Sequence, residues 1–311
     1  MNVLNVVPMR SPPPPPPDVP HVPVLRAEVL AALDPAEGKL FIDATLGAGG
    51  HSEAILRVPG TRVIGIDRDP SALAIAEERL EHFGPRFRAV KATFGEIASV
   101  VQDLALGPIH GILADVGVSS MQLDRAERGM SFRHDGPLDM RMDPTSGETA
   151  LELIARSSDD ELADVIFKLG EERRSRRIAR CIKQAYQAND LATTSDLRRA
   201  VVRAVGPARI GGVDPATRTF QGLRIAVNGE LDELSTLLDA GHGVLAPGGV
   251  LAIISFHSLE DRLVKRAFQD KDRWEPLTKK PVTATDNELA RNPRARSAKF
   301  RAARRRDEAS E

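Results

Sequence analysis

The stretch Phe41-Ile-Asp-Ala-Thr-Leu-Gly-Ala-Gly-Gly-His-Ser52 limits what this chain can fold into more than any other. A short apolar run, Leu40 to Ile42, enters Asp43, then a glycine turn, then Ser52-Glu-Ala-Ile-Leu56, which reads as helix. Glycines stand where a backbone must turn sharply and approach a ligand. A second apolar run, Arg62 to Asp67, also ends in an acid. A glycine turn, with an acid closing the next strand, is how doubly wound folds hold an adenosine ribose. The pair predicts a nucleoside cofactor and does not choose between nicotinamide and S-adenosylmethionine. Gly47 and Gly49 fit the dinucleotide fingerprint, but its third glycine position holds Ser52.

The pattern then repeats. Asp69-Pro-Ser71 puts an acid before a helix and a proline in its first turn. Leu73, Ala76, Leu80 and Phe83 give that helix a buried stripe, and Gly84-Pro85 ends it. Phe87 to Val90 reads as strand, Gly95 to Leu106 as helix, and Ile109 to Asp115 as a strand again closed by an acid. Strands alternating with helices at this spacing predict a parallel sheet, hence an α/β, Rossmann-like doubly wound fold.

From Asp124 to Pro215 the alternation stops. Arg125 to Gly147 reads as irregular loop. Ser158-Asp-Asp-Glu161 is a capping box that opens a helix, and Glu171 to Gln187 and Thr194 to Val205 read as two more. An all-helical insertion of about 90 residues is expected, large enough to be a small domain. One long helix is expected from Ala216 to Ala240, since Phe220, Leu223, Val227, Leu231, Leu234 and Leu238 step by three and four. Val250 to Phe256 is fully apolar and predicts a buried central strand, followed by helix from Ser258 to Phe268. Trp274–Val282 and Ser297–Ala302 are β-like and can pair antiparallel at the sheet edge. The expected domains are a proline-rich leader over residues 1–20, a discontinuous core over 21–124 and 215–311 that begins at His21, and the insertion over 125–214.

Composition bears on location and partners. No apolar run approaches the roughly 20 residues of a membrane helix. Cys181 is the single cysteine, which excludes an intrachain disulfide and favours a reducing compartment. The N-terminus lacks the charged start and apolar core of a secretory signal. A cytoplasmic protein without a membrane partner is expected. The net charge of −1 conceals an asymmetry: eight basic residues against three acids leave residues 291–311 at +5, and 35 against 41 leave residues 1–290 at −6. Positive charge so concentrated is compatible with a nucleic-acid partner and equally with a solvated tail.

Several residues have types and positions suited to chemistry. Asp115 closes the fourth strand, with Gln122 on the loop beyond, and ligands of open α/β sheets sit outside the carboxyl ends of strands. Amino-methyltransferases place an acceptor there, usually before Pro-Pro-aromatic; here Asp115-Val-Gly-Val118 has the acid without the rest. His257, in Ser255-Phe-His-Ser-Leu-Glu-Asp-Arg262, suits a general base, a contact to a base edge, or a helix cap. His110 and His242 are isolated and read as structural. Asp135-Gly-Pro-Leu-Asp-Met-Arg-Met-Asp143 reads as a flexible lid or a substrate-shaping loop. Arg218, Gln221, Arg224 and Asn228 share one helix face that meets solvent or RNA. Glu171-Glu-Arg-Arg-Ser-Arg-Arg177 allows the same two readings, with internal ion pairs favouring solvent. No His/Cys/Asp cluster has metal-ligand spacing, so no catalytic metal is expected. A methyltransferase for DNA or protein, a nicotinamide dehydrogenase and a non-catalytic RNA-binding protein all remain compatible with these features.

Longer stretches narrow the choice. Asp43–Ser52, Gly65–Asp69, Asp115–Asp124, Arg128–Phe132 and Asp135–Pro144 resemble, in order, motifs of the bacterial 16S rRNA cytosine-N4 methyltransferases, the small-subunit methyltransferase H family. Gly170–Arg173, Pro215–Gln221, Ser255–Arg262 and Asn292–Lys299 continue the match, so that it spans residues 21–306. The resemblance implies a class I methyltransferase fold with an inserted helical substrate-recognition domain and S-adenosylmethionine as cofactor. It also implies methylation of one cytosine N4 in the decoding region of 16S rRNA, within the small ribosomal subunit. It carries Gly49, Gly50 and His51 to the amino-acid end of the cofactor, Asp67 to the ribose, Phe94 to the adenine, and Asp115 and Gln122 to the rest of the pocket. Asp115 and His257 become the catalytic candidates, and Asp139, Arg141, Arg218, Arg224, Arg294 and Arg296 the substrate-binding ones. Two departures, Arg174 where an aromatic is common and Asp214 where His often stands, fall in the insertion.

Overall fold

The computed structural model describes residues 23–207 and 213–306; the proline leader, His21 and the last acids lie outside the described residues. The first part of the core runs α1 (Arg26–Leu33), β1 (Leu40–Asp43), α2 (Gly50–Leu56), β2 (Arg62–Asp67), α3 (Pro70–Leu80), β3 (Phe87–Lys91), α4 (Ile97–Asp103), β4 (Ile109–Asp115) and the short α5 (Ser120–Asp124). The inserted stretch holds α6 (Ala150–Arg156), α7 (Asp159–Lys168), α8 (Ser175–Gln187) and α9 (Thr194–Val205). The chain then continues through α10 (Thr217–Asn228), α11 (Glu230–Val244), β5 (Leu245–Ser255), α12 (Ser258–Ala267), β6 (Trp274–Pro276), α13 (Asp286–Arg291) and β7 (Lys299–Arg305).

Alternation along the strands builds two apolar layers, because successive side chains of a strand point to opposite faces. Leu40, Ile42, Ile64, Ile66, Ile112, Leu251 and Ile253 pack with α4, α11 and α12 on one face. Phe41, Val63, Leu113, Ala252 and Ile254 pack with α1, α2 and α3 on the other. The seven strands lie in the order β3-β2-β1-β4-β5-β7-β6. The first five are parallel, and β7 runs antiparallel between β5 and β6. The order is that of a doubly wound α/β sheet, as expected. The two terminal β stretches pair antiparallel as expected, and β7 also joins β5, which the sequence did not indicate.

The single helix expected over Ala216–Ala240 is two helices. Gly229, at φ 62, takes the left-handed conformation that closes α10, and α11 starts at the next residue. The apolar spacing ran across the break and so hid it. Phe220 and Leu223 bury in a cluster with α6–α9, whereas Leu234 and Leu238 bury against the sheet. The first of these clusters also takes Met130, Leu138, Met140 and Met142, so the irregular loop is packed apolar structure and not a free lid. Helix α6 is not among the expected elements, although Thr149 and Glu152 make the capping box that opens it. Among the described residues no helix is long and apolar enough to cross a membrane.

Candidate active site

Helices change faces of the sheet between β1 and β4, the switch point at which open α/β sheets bind ligands. The carboxyl ends of these two strands are tied together there. Leu113 O accepts from Ala44 N at 2.7 Å, and the Thr45 hydroxyl accepts from Asp115 N at 2.6 Å. The glycine turn leaves β1 with Gly47 at φ 51 and Gly49 at φ 76. A Cβ on Gly49 would stand 2.9 Å from a Leu80 methyl, so this residue needs glycine twice over, for its dihedral and for the close approach to α3. Asp67 holds the turn from below: its carboxylate accepts from Gly47 N at 2.8 Å and Asp69 N at 2.9 Å, leaving lone pairs for a ribose. Asp69 caps α3 through Ser71 N, as its position predicts.

Beyond the turn stand polar groups with unpaired atoms. His51, 7% exposed, has neither ring nitrogen hydrogen-bonded, and its Nε2 lies 3.8 Å from Asp115 Oδ2. Burial, with Arg26 nearby, lowers the imidazole to about 4, so it is neutral at pH 7. Asp115 Oδ1 also lacks a partner. Burial, then repulsion from Asp43 and Glu260, pushes its carboxyl up to about 8. Asp43 itself is raised by burial to about 6, although the Ser52 hydroxyl donates to it at 2.7 Å. Left-handed glycines, a neutral imidazole and carboxyl oxygens without a cation fit S-adenosylmethionine, whose sulfonium is positively charged.

The remaining cofactor candidates are placed as follows. Gly50 and His51 begin α2. Phe94 follows β3 on a half-buried turn, where Gly95 N donates to Glu233 at 2.9 Å. Gln122, 6% exposed, donates to Asp69 at 3.0 Å. Its neighbour there is Arg128, which donates to Asp69 at 2.8 Å and to Met142 O at 2.6 Å. Arg128 thereby joins the cap of α3 to the Asp135–Asp143 loop. Asn228 holds the other side of that loop, accepting from Met142 N at 2.7 Å and donating to Met140 O at 2.8 Å. Between them Met140 sits fully buried at φ 63, a conformation that costs energy and persists because both sides are clamped.

Some expectations need correction. Beyond Arg218, the Arg218–Asn228 face is not a solvent face: Gln221 donates to Leu169 O, Asn228 is buried, and Arg224 is bound by both oxygens of Glu230 at 2.8 Å. Arg224, 15% exposed and occupied by Glu230, is therefore not a free cation on the surface. Arg218 remains 56% exposed, 4.0 Å from Glu172. Asp139 and Arg141 neutralise each other, with Nε to Oδ1 at 2.9 Å and Nη2 to Oδ2 at 2.7 Å. Arg294 pairs with Asp124 at 2.8 Å, while Arg296 is exposed.

His257 is the N-cap of α12, its Nδ1 accepting from Glu260 N and the Glu260 carboxylate accepting from His257 N at 3.2 Å. With Nδ1 so used, Nε2 faces Glu260 Oε1 at 3.0 Å. The fold also brings Glu230 to this pair, a cluster invisible in sequence spacing, and Arg224 supplies its positive charge. His110 accepts from Leu40 N at 3.2 Å, and His242 meets Trp274 edge to face. Thr45, Arg128 and Glu260 were not singled out from sequence. Glu260 had a readable signal, the three-residue capping-box spacing from His257; Arg128 and Thr45 had none outside the family motifs that contain them.

The chain matches the sequence model described as "MraW methylase family" over residues 18–306. It is 67% identical over 307 residues to "Ribosomal RNA small subunit methyltransferase H" of Sorangium cellulosum, covering 98% of each chain. Proteins of the same name from Synechococcus sp. and Bradyrhizobium diazoefficiens are 54% and 49% identical; the alignments cover 92% of this chain in both cases, and 93% and 92% of those chains.

Proposed function

Because this chain belongs to the MraW methylase family, we propose that it is the enzyme that methylates the exocyclic N4 of one cytosine in the decoding region of 16S rRNA. Its cofactor is S-adenosylmethionine, which supplies an electrophilic methyl group when bound. The small ribosomal subunit in the cytoplasm is the substrate-bearing partner. Relatives that share half to two thirds of their residues with this chain carry the name of a small-subunit rRNA methyltransferase.

The observation that carries the chemistry is the unpaired Asp115 oxygen beside neutral His51 at the switch point. The cytosine amine is a poor nucleophile because its lone pair is delocalised into the ring. A carboxylate that accepts from the amine localises that lone pair and stabilises the positive charge developing on nitrogen, an effect enlarged where water is excluded. Gly49, Gly50 and His51 hold the amino-acid end of the cofactor, Asp67 the ribose, and Phe94 the adenine, with Gln122 fixing the wall behind. Phe256, whose ring lies 3.4 Å from where a Cβ of Gly117 would stand, offers a face to the flipped base at the end of β4. His257, through its bond to Glu260, sets the turn that carries Phe256, since Glu260 also accepts from Phe256 N at 2.8 Å. Residues 125–214 recognise the RNA, with Arg218, Arg294, Arg296 and the Asp139–Arg141 pair at its approach.

Incubation of unmethylated small subunits with labelled S-adenosylmethionine should place label on a single cytosine, read as N4-methylcytosine by mass. Label on another base, or on protein alone, would sink the assignment.

A further inference from the structure

The stretch Glu171–Arg177 reads in sequence as acids and arginines that neutralise one another. In the fold they do not. The turn between α7 and α8 is pressed onto α10, where a Cβ on Gly170 would stand 2.4 Å from Arg218 O, and Glu171 takes a left-handed φ of 52. From there both acids reach away from their neighbours in sequence. Glu171 accepts from the Ser258 hydroxyl and from Arg262 at 3.2 Å, next to His257 at the carboxyl end of β5. Glu172 accepts from Arg174 N and lies 4.0 Å from Arg218. The acids thus anchor the head of α8 to the rim of the cleft, and the arginines are left over. Arg173 on the turn and Arg176, Arg177 and Arg180 on α8 are exposed, and no ion pair reaches them among the described residues. Steps of three and four put them on one face, opposite the buried Ile178, Ile182 and Ala185. Phe167, 53% exposed and the most exposed large apolar side chain among the described residues, stands three residues before the same turn.

We propose that this face is a track for single-stranded RNA that starts at the cleft rim and leads the nucleotides flanking the target base along α8. The inference rests on the RNA methyltransferase reading and adds where the strand runs. The three arginines on α8 span roughly 6 Å at the helix rise of 1.5 Å per residue, and Arg173 extends the stripe onto the turn, enough for successive phosphates; an exposed aromatic beside cations is the pairing with which proteins hold unstacked bases. Four unpaired arginines anchored at the mouth of a cleft that takes one flipped base match the charge of the strand that must leave that mouth.

The test compares wild type, the R173Q/R176Q/R177Q/R180Q variant, Phe167→Ala, and a control Arg62→Gln/Arg88→Gln, whose arginines are exposed where β2 and β3 begin. Small subunits and a 16S rRNA fragment carrying the target serve as probes. The quadruple variant should raise KM for subunits at least tenfold and flatten the plot of log affinity against log salt by about 3, at roughly 0.7 per lost phosphate contact. Its kcat, S-adenosylmethionine affinity and circular dichroism should stay unchanged. Phe167→Ala should weaken binding about tenfold with the salt slope intact, within the range for one stacked base, and the control should change neither. Unaltered KM and slope in the quadruple variant, with wild type active, would overturn the track while leaving the enzyme assignment standing. A changed sedimentation coefficient without a change in RNA binding would overturn it in favour of a protein interface. Wild type that methylates no subunit at all would instead defeat the reading on which the track rests.

Discussion

The cleft and the inserted helices treat charge in opposite ways. At the switch point acids stand in a partly or wholly buried setting without cations: Asp43 and Asp115 are raised to about 6 and about 8, and His51 is kept neutral. In the insertion several acids find cations, Glu148 with Arg156, Asp164 with Lys168, and Glu171 with Arg262 of α12, while the arginines of one α8 face stand exposed without acid partners among the described residues. An unpaired acid in low dielectric is costly, and its survival there marks a candidate ligand site. The contrast teaches where charge is left without a partner: acid in the cleft, which suits the cationic cofactor and amine of the proposed reaction, and arginine on α8, which suits the proposed RNA track.

The comparison breaks most visibly at Asp115. Asp115→Asn is expected to lower kcat roughly a thousandfold, as loss of a preorganised electrostatic group does, with S-adenosylmethionine binding within tenfold of wild type; wild-type turnover at saturating substrates would remove Asp115 from the chemistry. In the wild type, kcat/KM should rise with pH toward about 8, because only the ionised carboxylate accepts from the amine. Stability should move the other way. A carboxyl whose folded pKa lies above its unfolded one binds more protons folded, so unfolding free energy falls as pH climbs from about 4 to about 8. Urea midpoints at pH 6 and pH 8 should show that fall in wild type and a smaller one in Asp115→Asn.

Where the two regions are joined, Arg128→Met leaves Asp69 buried and unpaired, and should cost about 3–5 kcal/mol by urea unfolding. It should also raise KM for RNA by loosening the Met140–Met142 segment, whereas a variant with unchanged stability would show that the Asp69–Arg128 link is slack. Within the cleft, Gly49→Ala forces a left-handed non-glycine residue against Leu80 and should weaken cofactor binding about tenfold, given roughly 1–2 kcal/mol for the dihedral alone. Calorimetry with S-adenosylmethionine checks it. At the far end of the scale, Arg156→Ala removes an exposed ion pair of the insertion and should leave the melting temperature in place. A clear loss there would mean that the surface pairs of the insertion carry stability, contrary to the division drawn above.

Much of the architecture was legible because its signals are local. The Phe41–Ser52 turn, the acids at Asp67 and Asp115, the cap at Asp69 and the fourfold strand–helix alternation each depend on neighbours a few residues away. The break at Gly229 was missed because a stripe spaced by three and four continues numerically through a change of helix direction. Arg224 was misjudged for a related reason. Its helix face was read as polar and therefore outward, but polar residues on a helix pack inward wherever partners such as Glu230 and the Leu169 and Met140 carbonyls await them. On α8, nearness in sequence to Glu171 and Glu172 suggests pairing for the arginines, but the fold turns both acids toward Ser258, Arg262 and Arg218.

The chain alone determined the order of strands and helices, the glycine turn, the acids at strand ends and the family motifs, since dihedral preference and side-chain period are written residue by residue. Tertiary structure decided which charges are free. Arg128 meets Asp69 across 59 residues, Glu171 meets Ser258 across 87, and Asp115 comes to lie beside His51 and Asp43. Ionisation and availability depend on distance and burial, which only the assembled fold sets.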